Sequence, residues 1–101
     1  MVNYRKSEYK LKGFEKSNRK DKKYNAILQS RDNPNAIVKV PFGGIRKNGI
    51  PYDQYRDKTP LRLYSKYDHN DKERRRLYRG RHMSPSDIYY NPNWFSHKYL
   101  W

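Results

Sequence analysis

The fold is decided between residues 24 and 40, which read YNAILQSRDNPNAIVKV. Two apolar runs, residues 24–29 and 36–40, flank a segment that is dense in turn formers. Pro34 presets φ for a turn, and the side chain of Asp32 or Asn33 suits the hydrogen bond of an Asx turn. The β-branched residues of the second run are typical of strands. This stretch therefore predicts a β-hairpin with a loop of five to six residues.

The hairpin needs other segments to cover one of its faces, because a lone hairpin is only marginally stable in water. The glycines and prolines of residues 43–65 are typical of loops, and within them residues 61–64 are predicted as a short edge strand. Five apolar side chains of this segment are the expected anchors on the hairpin: Tyr52, Tyr55, Leu61, Leu63 and Tyr64.

Residues 68–82 predict one short helix. Asp68 or Asn70 suits the N-cap, acidic residues follow in the first turn, and Gly80 suits the end. Arginine matches the oxygens of phosphate and carboxylate with two parallel hydrogen bonds. The helix is therefore predicted to present an anion-binding surface made of Arg74, Arg75, Arg76, Arg79 and Arg81. The alternative is a solvated face whose charge is balanced by the acidic residues nearby.

Residues 1–23 carry a net charge of +6 and show no clean hydrophobic period. They are predicted to form a basic arm, extended or partly helical, that precedes a small body at residues 24–83. A basic cluster in the arm is either a nuclear-localisation or phosphate-binding patch, or part of a solvated flexible tail. Its members are Lys16, Arg19, Lys20, Lys22 and Lys23.

Residues 84–101 have no net charge and are rich in aromatic rings. Two prolines argue against a long helix there, so an irregular tail is predicted. Its rings are expected to dock on protein, either on the chain's own hairpin or on a neighbouring subunit. The alternative is stacking on nucleic-acid bases. The rings are Tyr89, Tyr90, Trp94, Phe95, Tyr99 and Trp101.

These elements together predict a small α+β protein: a β-hairpin and one short Arg-rich helix, with an extended N-terminal arm and an irregular aromatic C-terminal tail. The formal net charge is +14 over 101 residues. Because such a charge repels itself in a compact chain, an anionic partner is expected: nucleic acid, a membrane surface or an acidic protein. Solubility alone is the alternative, although small domains rarely need a net charge above roughly 8 for it. No membrane span is predicted, since no stretch approaches about 18 apolar residues.

The sequence predicts no catalytic residue, no metal site, no cofactor and no small-molecule substrate. Gly43 and Gly44 are not followed by the Gly-Lys-Ser/Thr of a P-loop, and no serine lies in a nucleophile elbow. His69, His82 and His97 lack the spacing of metal signatures, and the chain has no cysteine. Asp68 and His69 are similar to the start of a ββα-metal nuclease site, but its later Asn and His do not follow at usable spacing.

Three groups of residues are distinctive in their order along the chain. They are residues 40–43 (VPFG); residues 64–69 (YSKYDH) with Asp71, Arg74, Arg75, Tyr78, Arg81 and His82; and residues 89–92 (YYNP), 94–96 (WFS) and 99–101 (YLW). Together they resemble an uncharacterised family of small basic proteins encoded by large DNA viruses of algae and amoebae. The resemblance covers residues 24–101, and residues 44–51 depart from the family pattern as an insertion. It implies a setting, the virus particle, and no mechanism.

In that setting the expected function is that of a non-catalytic minor virion protein that bridges capsid or core protein and an anionic surface. The arm and the aromatic tail would bind neighbouring virion proteins, and the arginine helix would face DNA or acidic protein. The expected location is the virion, with host cytoplasm or nucleus during assembly. The alternative function is non-specific nucleic-acid binding that packages or condenses DNA.

Overall fold

A computed structural model describes residues 3–82 and 84–101. The strands are β1 (Tyr4–Arg5), β2 (Tyr9–Lys16), β3 (Lys22–Ser30), β4 (Ile37–Gly44) and β5 (Tyr89–Tyr90). The helices are α1 (Lys72–Arg81) and α2 (Pro92–Tyr99), and a 3₁₀ turn occupies Ser65–Tyr67. β2, β3 and β4 form one antiparallel sheet in that order, and β1 pairs with β5 in a second. The prediction of a small α+β protein is confirmed.

The predicted hairpin is confirmed as β3 and β4 of the larger sheet. The two strands pair from Lys22 opposite Gly44 to Gln29 opposite Ile37, and residues 31–36 connect them. Inside the loop, side-chain oxygens of serine and asparagine accept backbone hydrogen bonds, as its composition predicts. Residues 23–26 are all buried, so both faces of β3 are covered.

Residues 9–16 of the predicted N-terminal arm lie in the larger sheet as β2, and residues 4–5 form β1 of the second sheet, so the prediction of an arm that precedes the body is wrong. A β-bulge between Leu11 and Gly13 explains why the sequence concealed this strand. Leu11 pairs with Leu28, but beyond the bulge Phe14 pairs with Ala26. The extra residue moves the core-facing positions from odd to even numbers, which destroys the period of two that identifies a strand.

The predicted arginine helix exists as α1, but it begins and ends at other residues than expected. Its N-cap is Asp71, whose carboxylate accepts hydrogen bonds from the first turn at 2.9 and 3.3 Å. Asp68 is unavailable for this role because its carboxylate binds the buried Gln54, and Asn70 has a positive φ of 55°. The helix also continues through Gly80 to Arg81.

The C-terminal segment, predicted to be an irregular tail, contains the strand β5 and the helix α2. Asn91 is the N-cap of α2, with its side-chain oxygen 2.9 Å from the amide of Trp94. Pro92 follows at the first helical position, where a proline has no hydrogen bond to lose and favours the helical φ. Proline therefore starts this helix rather than preventing it. Neither α1 nor α2 is long and apolar enough to cross a membrane.

The core is dominated by aromatic rings from the sheet and α2. Phe95 of α2 is fully buried and stacks on Phe42 of β4, with ring centroids 5.4 Å apart. Tyr24 of β3 meets Tyr64 edge to face at 5.3 Å, and Phe14 of β2 meets Tyr99 at 4.7 Å. The rings of the C-terminal segment therefore pack on the chain's own sheet.

The long segment between β4 and α1 is anchored by fewer side chains than predicted. Tyr55 and Tyr64 are buried, whereas Tyr52, Leu61 and Leu63 are exposed. Residues 61–64 form no strand, and a φ of 51° at position 62 is incompatible with strand geometry. This segment forms one side of the site described next.

Candidate functional site

Three loops surround a surface groove of about 890 Å³. They lie between β2 and β3 (residues 17–21), after β4 (residues 45–51) and before α1 (residues 63–67). The amide of Ile45 donates to the carbonyl oxygen of Asp21 at 3.0 Å, which fastens the first two loops together. Gly49, with φ of +85°, closes a turn in the second loop that only glycine adopts without strain. Backbone hydrogen bonds thus hold two walls of the groove in place.

The groove is strongly basic, and we call it the basic groove. Seven basic side chains line it: Lys16, Arg19, Lys20, Lys22, Arg46, Lys47 and Lys66. Asp21 is the sole acidic residue among the lining residues that the structure describes, and it pairs with Arg19 through bonds of 3.0 and 3.1 Å. This pairing lowers the pKa of Asp21. The carboxylate therefore stays ionised and offsets one of the seven positive charges.

The five lysines of the basic groove are available to an anion. None of them forms a salt bridge with a residue in 3–82 or 84–101. All are exposed except Lys22, which is half-buried. A lysine ammonium is a flexible point charge that attracts phosphate without demanding a fixed geometry. Within a groove, like charges of this kind sum to a focused positive field.

Lys23, a member of the predicted basic cluster, does not line the basic groove. Adjacent strand residues face opposite sides of a sheet, and this places Lys22 in the groove and Lys23 in the interior. Lys23 is 1% exposed, and its ammonium donates to the carbonyl oxygen of Tyr52 at 2.6 Å and to Gln54 Oε1 at 2.5 Å. Burial lowers the pKa of Lys23 to about 8, although the carboxylates of Asp57 and its neighbours oppose the shift.

A buried polar network positions the third loop of the groove. Asp57 is 1% exposed and accepts hydrogen bonds from the Tyr24 hydroxyl at 2.5 Å and from the Tyr64 amide at 3.2 Å. Gln54 is fully buried and donates to the carbonyl oxygen of Tyr64 at 2.7 Å. Burial and the carboxylate of Asp57 raise the pKa of Tyr24, so this donor stays protonated. The network fixes Tyr64 and, with it, the wall that carries Lys66.

The arginines of α1 do not form the single anion-binding surface that was predicted. Arg75 Nε donates to the carbonyl oxygen of Trp101 at 2.6 Å, and Arg79 Nη2 donates to that of His97 at 3.4 Å. Carbonyl groups at a helix C-terminus lack helical partners and carry partial negative charge. These two guanidinium groups therefore stabilise the end of α2.

The remaining arginines of α1 have separate surroundings. Arg76 pairs with Glu73 one turn earlier, which lowers the pKa of the glutamate and raises that of the arginine. Arg74 lies 3.7 Å from the carboxylate of Asp53. Arg74 and Arg81 both line a second cavity of about 550 Å³ between α1 and the sheet. Two of the five predicted arginines thus lie beside the basic groove rather than in it.

The aromatic residues predicted to dock on protein are largely occupied within the chain. Trp94 and Phe95 are buried, so neither ring is accessible to a partner. Tyr89, Tyr90, Tyr99 and Trp101 are half-buried. Trp94 Nε1 also donates to the carboxylate of Asp87 at 3.1 Å, and the ion pair with Lys6, followed by this hydrogen bond, lowers the pKa of Asp87.

The histidines take structural positions. His97 is buried in α2 with its ring nitrogens 3.0 and 3.2 Å from two backbone carbonyl oxygens. His69 packs against the ring of Trp101, and burial, followed by the charge of Arg74, lowers its pKa. Within residues 3–82 and 84–101, no three acidic or histidine side chains are grouped to hold a metal ion.

Sequence reasoning missed three members of the basic groove: Arg46, Lys47 and Lys66. The first two precede Asn48 and Gly49, so a basic turn is readable in the sequence, but nothing local shows that it folds beside residues 17–21. Comparison of the chain with protein-family models, with curated proteins and with solved structures finds no match in any of the three. The arrangement of charges must therefore carry the functional argument.

Proposed function

We propose that the protein is a non-catalytic nucleic-acid-binding protein that holds a phosphodiester backbone in the basic groove. The observation that carries the proposal is the convergence of seven basic side chains and one acidic side chain on a single groove, from three loops and the adjoining ends of β2 and β3. Evenly spread charge would serve solubility equally well, whereas a focused field favours a polyanion. Lysines that contact phosphates neutralise charge without reading sequence, so the binding is non-specific.

Salt dependence measures this mode of binding directly. If the five unpaired lysines each neutralise one phosphate, log Kd changes with log salt at a slope of magnitude about 4 to 5 on duplex and about 3 to 4 on a single strand. A titration of fluorescent oligonucleotides, with DNA and RNA as separate arms, gives both slopes. A slope near zero would remove the proposal.

A pair of matched variants locates the binding surface. Lys20→Gln with Lys47→Gln removes two charges from the groove, and Lys10→Gln with Lys12→Gln removes two exposed charges from β2 outside it. The first double variant is expected to weaken binding and to reduce the slope by about 2, since two fewer counterions are released. The second should leave the slope close to that of the parent. Equal losses in both variants would mean that net charge, not the groove, drives binding.

The role in the virion that was predicted from the sequence is a further proposal. Like the nucleic-acid-binding proposal, it requires an anionic partner. In that proposal the N-terminal arm and the aromatic rings of the C-terminal segment bind neighbouring protein, and the burial of Trp94 and Phe95 leaves four half-buried rings for this role. The virion location itself rests on the family resemblance. Purified particles that lack the chain would contradict it.

A further inference from the structure

The second cavity differs in character from the basic groove. It has a volume of about 550 Å³, within the range of roughly 300–1,000 Å³ typical of ligand pockets. Four aromatic side chains, Phe42, Tyr52, Tyr78 and Trp101, line it together with Asp53 and with arginines from α1 and from the loop after β4. Flat apolar surfaces beside guanidinium groups suit a ligand that combines an aromatic ring with a phosphate.

The two cavities meet along a shared wall. Lys22 and Arg46 line both of them. Lys22 opens β3, and its pairing with Gly44 fixes it at the boundary between the cavities. A strand whose phosphates follow the basic groove therefore meets the second cavity at Lys22 and Arg46. Asp53 is the acidic residue among the described lining residues of that cavity, and its carboxylate pairs with Arg74 at 3.7 Å.

One aromatic wall of the cavity is ordered by ring stacking. Trp101 and Tyr78 lie parallel, with centroids 4.0 Å apart and an interplanar angle of 3°, and His82 continues the stack at 4.1 Å. Across the cavity Tyr52 is 51% exposed, and the guanidinium of Arg46 lies 4.5 Å from its ring centroid. Rings that are already ordered lose little conformational entropy when another ring binds.

Resting on the proposed function, we infer that the second cavity receives one unpaired base of the strand whose phosphates lie in the basic groove. A base held in a duplex is stacked and paired, so it cannot enter without being extruded. The protein therefore prefers single-stranded nucleic acid. A stacked base contributes about 5- to 150-fold in affinity, the fold-change that corresponds to the measured range for base–aromatic stacking.

Abasic oligonucleotides distinguish the contribution of the base to the affinity from that of the phosphates. A single strand and an abasic strand of the same length present identical charge, so the basic groove binds both. The normal strand is expected to bind about 5- to 150-fold more tightly. Tyr52→Ala should bring its affinity close to that of the abasic strand, whereas Leu61→Ala, another exposed apolar residue outside both cavities, should not. The Lys20→Gln and Lys47→Gln double variant should weaken both strands by the same factor.

The outcomes distinguish this inference from the proposed function. Equal affinity for normal and abasic strands overturns the base pocket and leaves the groove proposal standing. Failure of both strands to bind overturns both. A free nucleoside monophosphate that binds as tightly as the strand overturns the inference in another way, because the cavity would then be a nucleotide site independent of the groove.

Discussion

Raising the pH from about 7.5 to about 9.5 is expected to increase the free energy of unfolding through Lys23. The ammonium of Lys23 is 1% exposed, and its pKa falls from 10.5 in a free side chain to about 8 in the fold. Between these two values the unfolded chain binds more protons than the native protein at this site. Stability therefore rises with pH across the window, and the penalty for burying the charge is present in full below about pH 8.

The size of the gain in free energy of unfolding follows from the shift in the pKa of Lys23. One pKa unit corresponds to about 1.4 kcal/mol, so a fall to about 8 yields about 2 kcal/mol between pH 7.5 and 9.5. The upper limit of this pH window matters because burial raises the pKa of Tyr24. Above about pH 10 the tyrosine ionises in the unfolded chain before it does so in the native protein, and stability falls again.

Urea unfolding at several pH values, followed by tryptophan fluorescence, measures the effect. Lys23→Met is the control, since it abolishes the titration of this side chain. It leaves the buried Gln54 Oε1 and the part-buried carbonyl oxygen of Tyr52 without this donor, at a pH-independent cost of about 1–3 kcal/mol. Lys58, whose pKa is lowered by burial and by neighbouring arginines, contributes in the same direction and is present in both proteins. Parallel pH profiles for the parent and Lys23→Met would refute the reasoning.

Two further predictions concern the core and two glycines, one in β4 and one in the loop after it. Phe95→Ala should lower the free energy of unfolding by about 3–5 kcal/mol in urea titrations, because the ring is fully buried. Leu77 is half-exposed, so Leu77→Ala should lower it by less than about 0.5 kcal/mol. A loss below about 1 kcal/mol for Phe95→Ala would contradict the packing of this ring. Gly43→Ala and Gly49→Ala both place a side chain at positive φ, but a Cβ at Gly43 would lie 3.1 Å from Leu100 and one at Gly49 would meet nothing within 4 Å. Gly43→Ala should therefore be the more destabilising by about 1–3 kcal/mol, and equal losses would show that the site relaxes freely.

Local signals made the hairpin and α1 predictable. The loop of the hairpin hydrogen-bonds through the asparagine and serine side chains that mark turns, and α1 has an acidic N-cap beside its first turn. β2 escaped prediction because its bulge shifts the core-facing register between Leu11 and Phe14. α2 escaped because Pro92 was interpreted as a helix breaker, although its place directly after an asparagine N-cap suits a helix start.

The basic groove was predictable only in part, for a reason that applies to most surface sites. Lys16, Arg19, Lys20 and Lys22 are close in sequence and stand out as a charge cluster. Arg46, Lys47 and Lys66 join them only through tertiary structure, by the Ile45–Asp21 hydrogen bond and the buried network around Asp57. Lys23 belongs to this charge cluster but does not line the groove, and a charge cluster does not reveal which side of a strand each residue faces.

The positive field of the basic groove is explained as much by the acidic residues as by the lysines. Asp57 and Asp68 are used in the buried network, Asp71 caps α1, and Glu15 binds Asn25 and Lys39 on the sheet. None of these carboxylates pairs with a lysine of the basic groove in the described residues, so the charges of the groove repel one another in the free protein. An anion that binds there relieves the repulsion, and by linkage it stabilises the native state. The contacts that hold the loops in place therefore also engage these carboxylates, and the positive charge left unneutralised in the groove favours binding of a phosphate backbone.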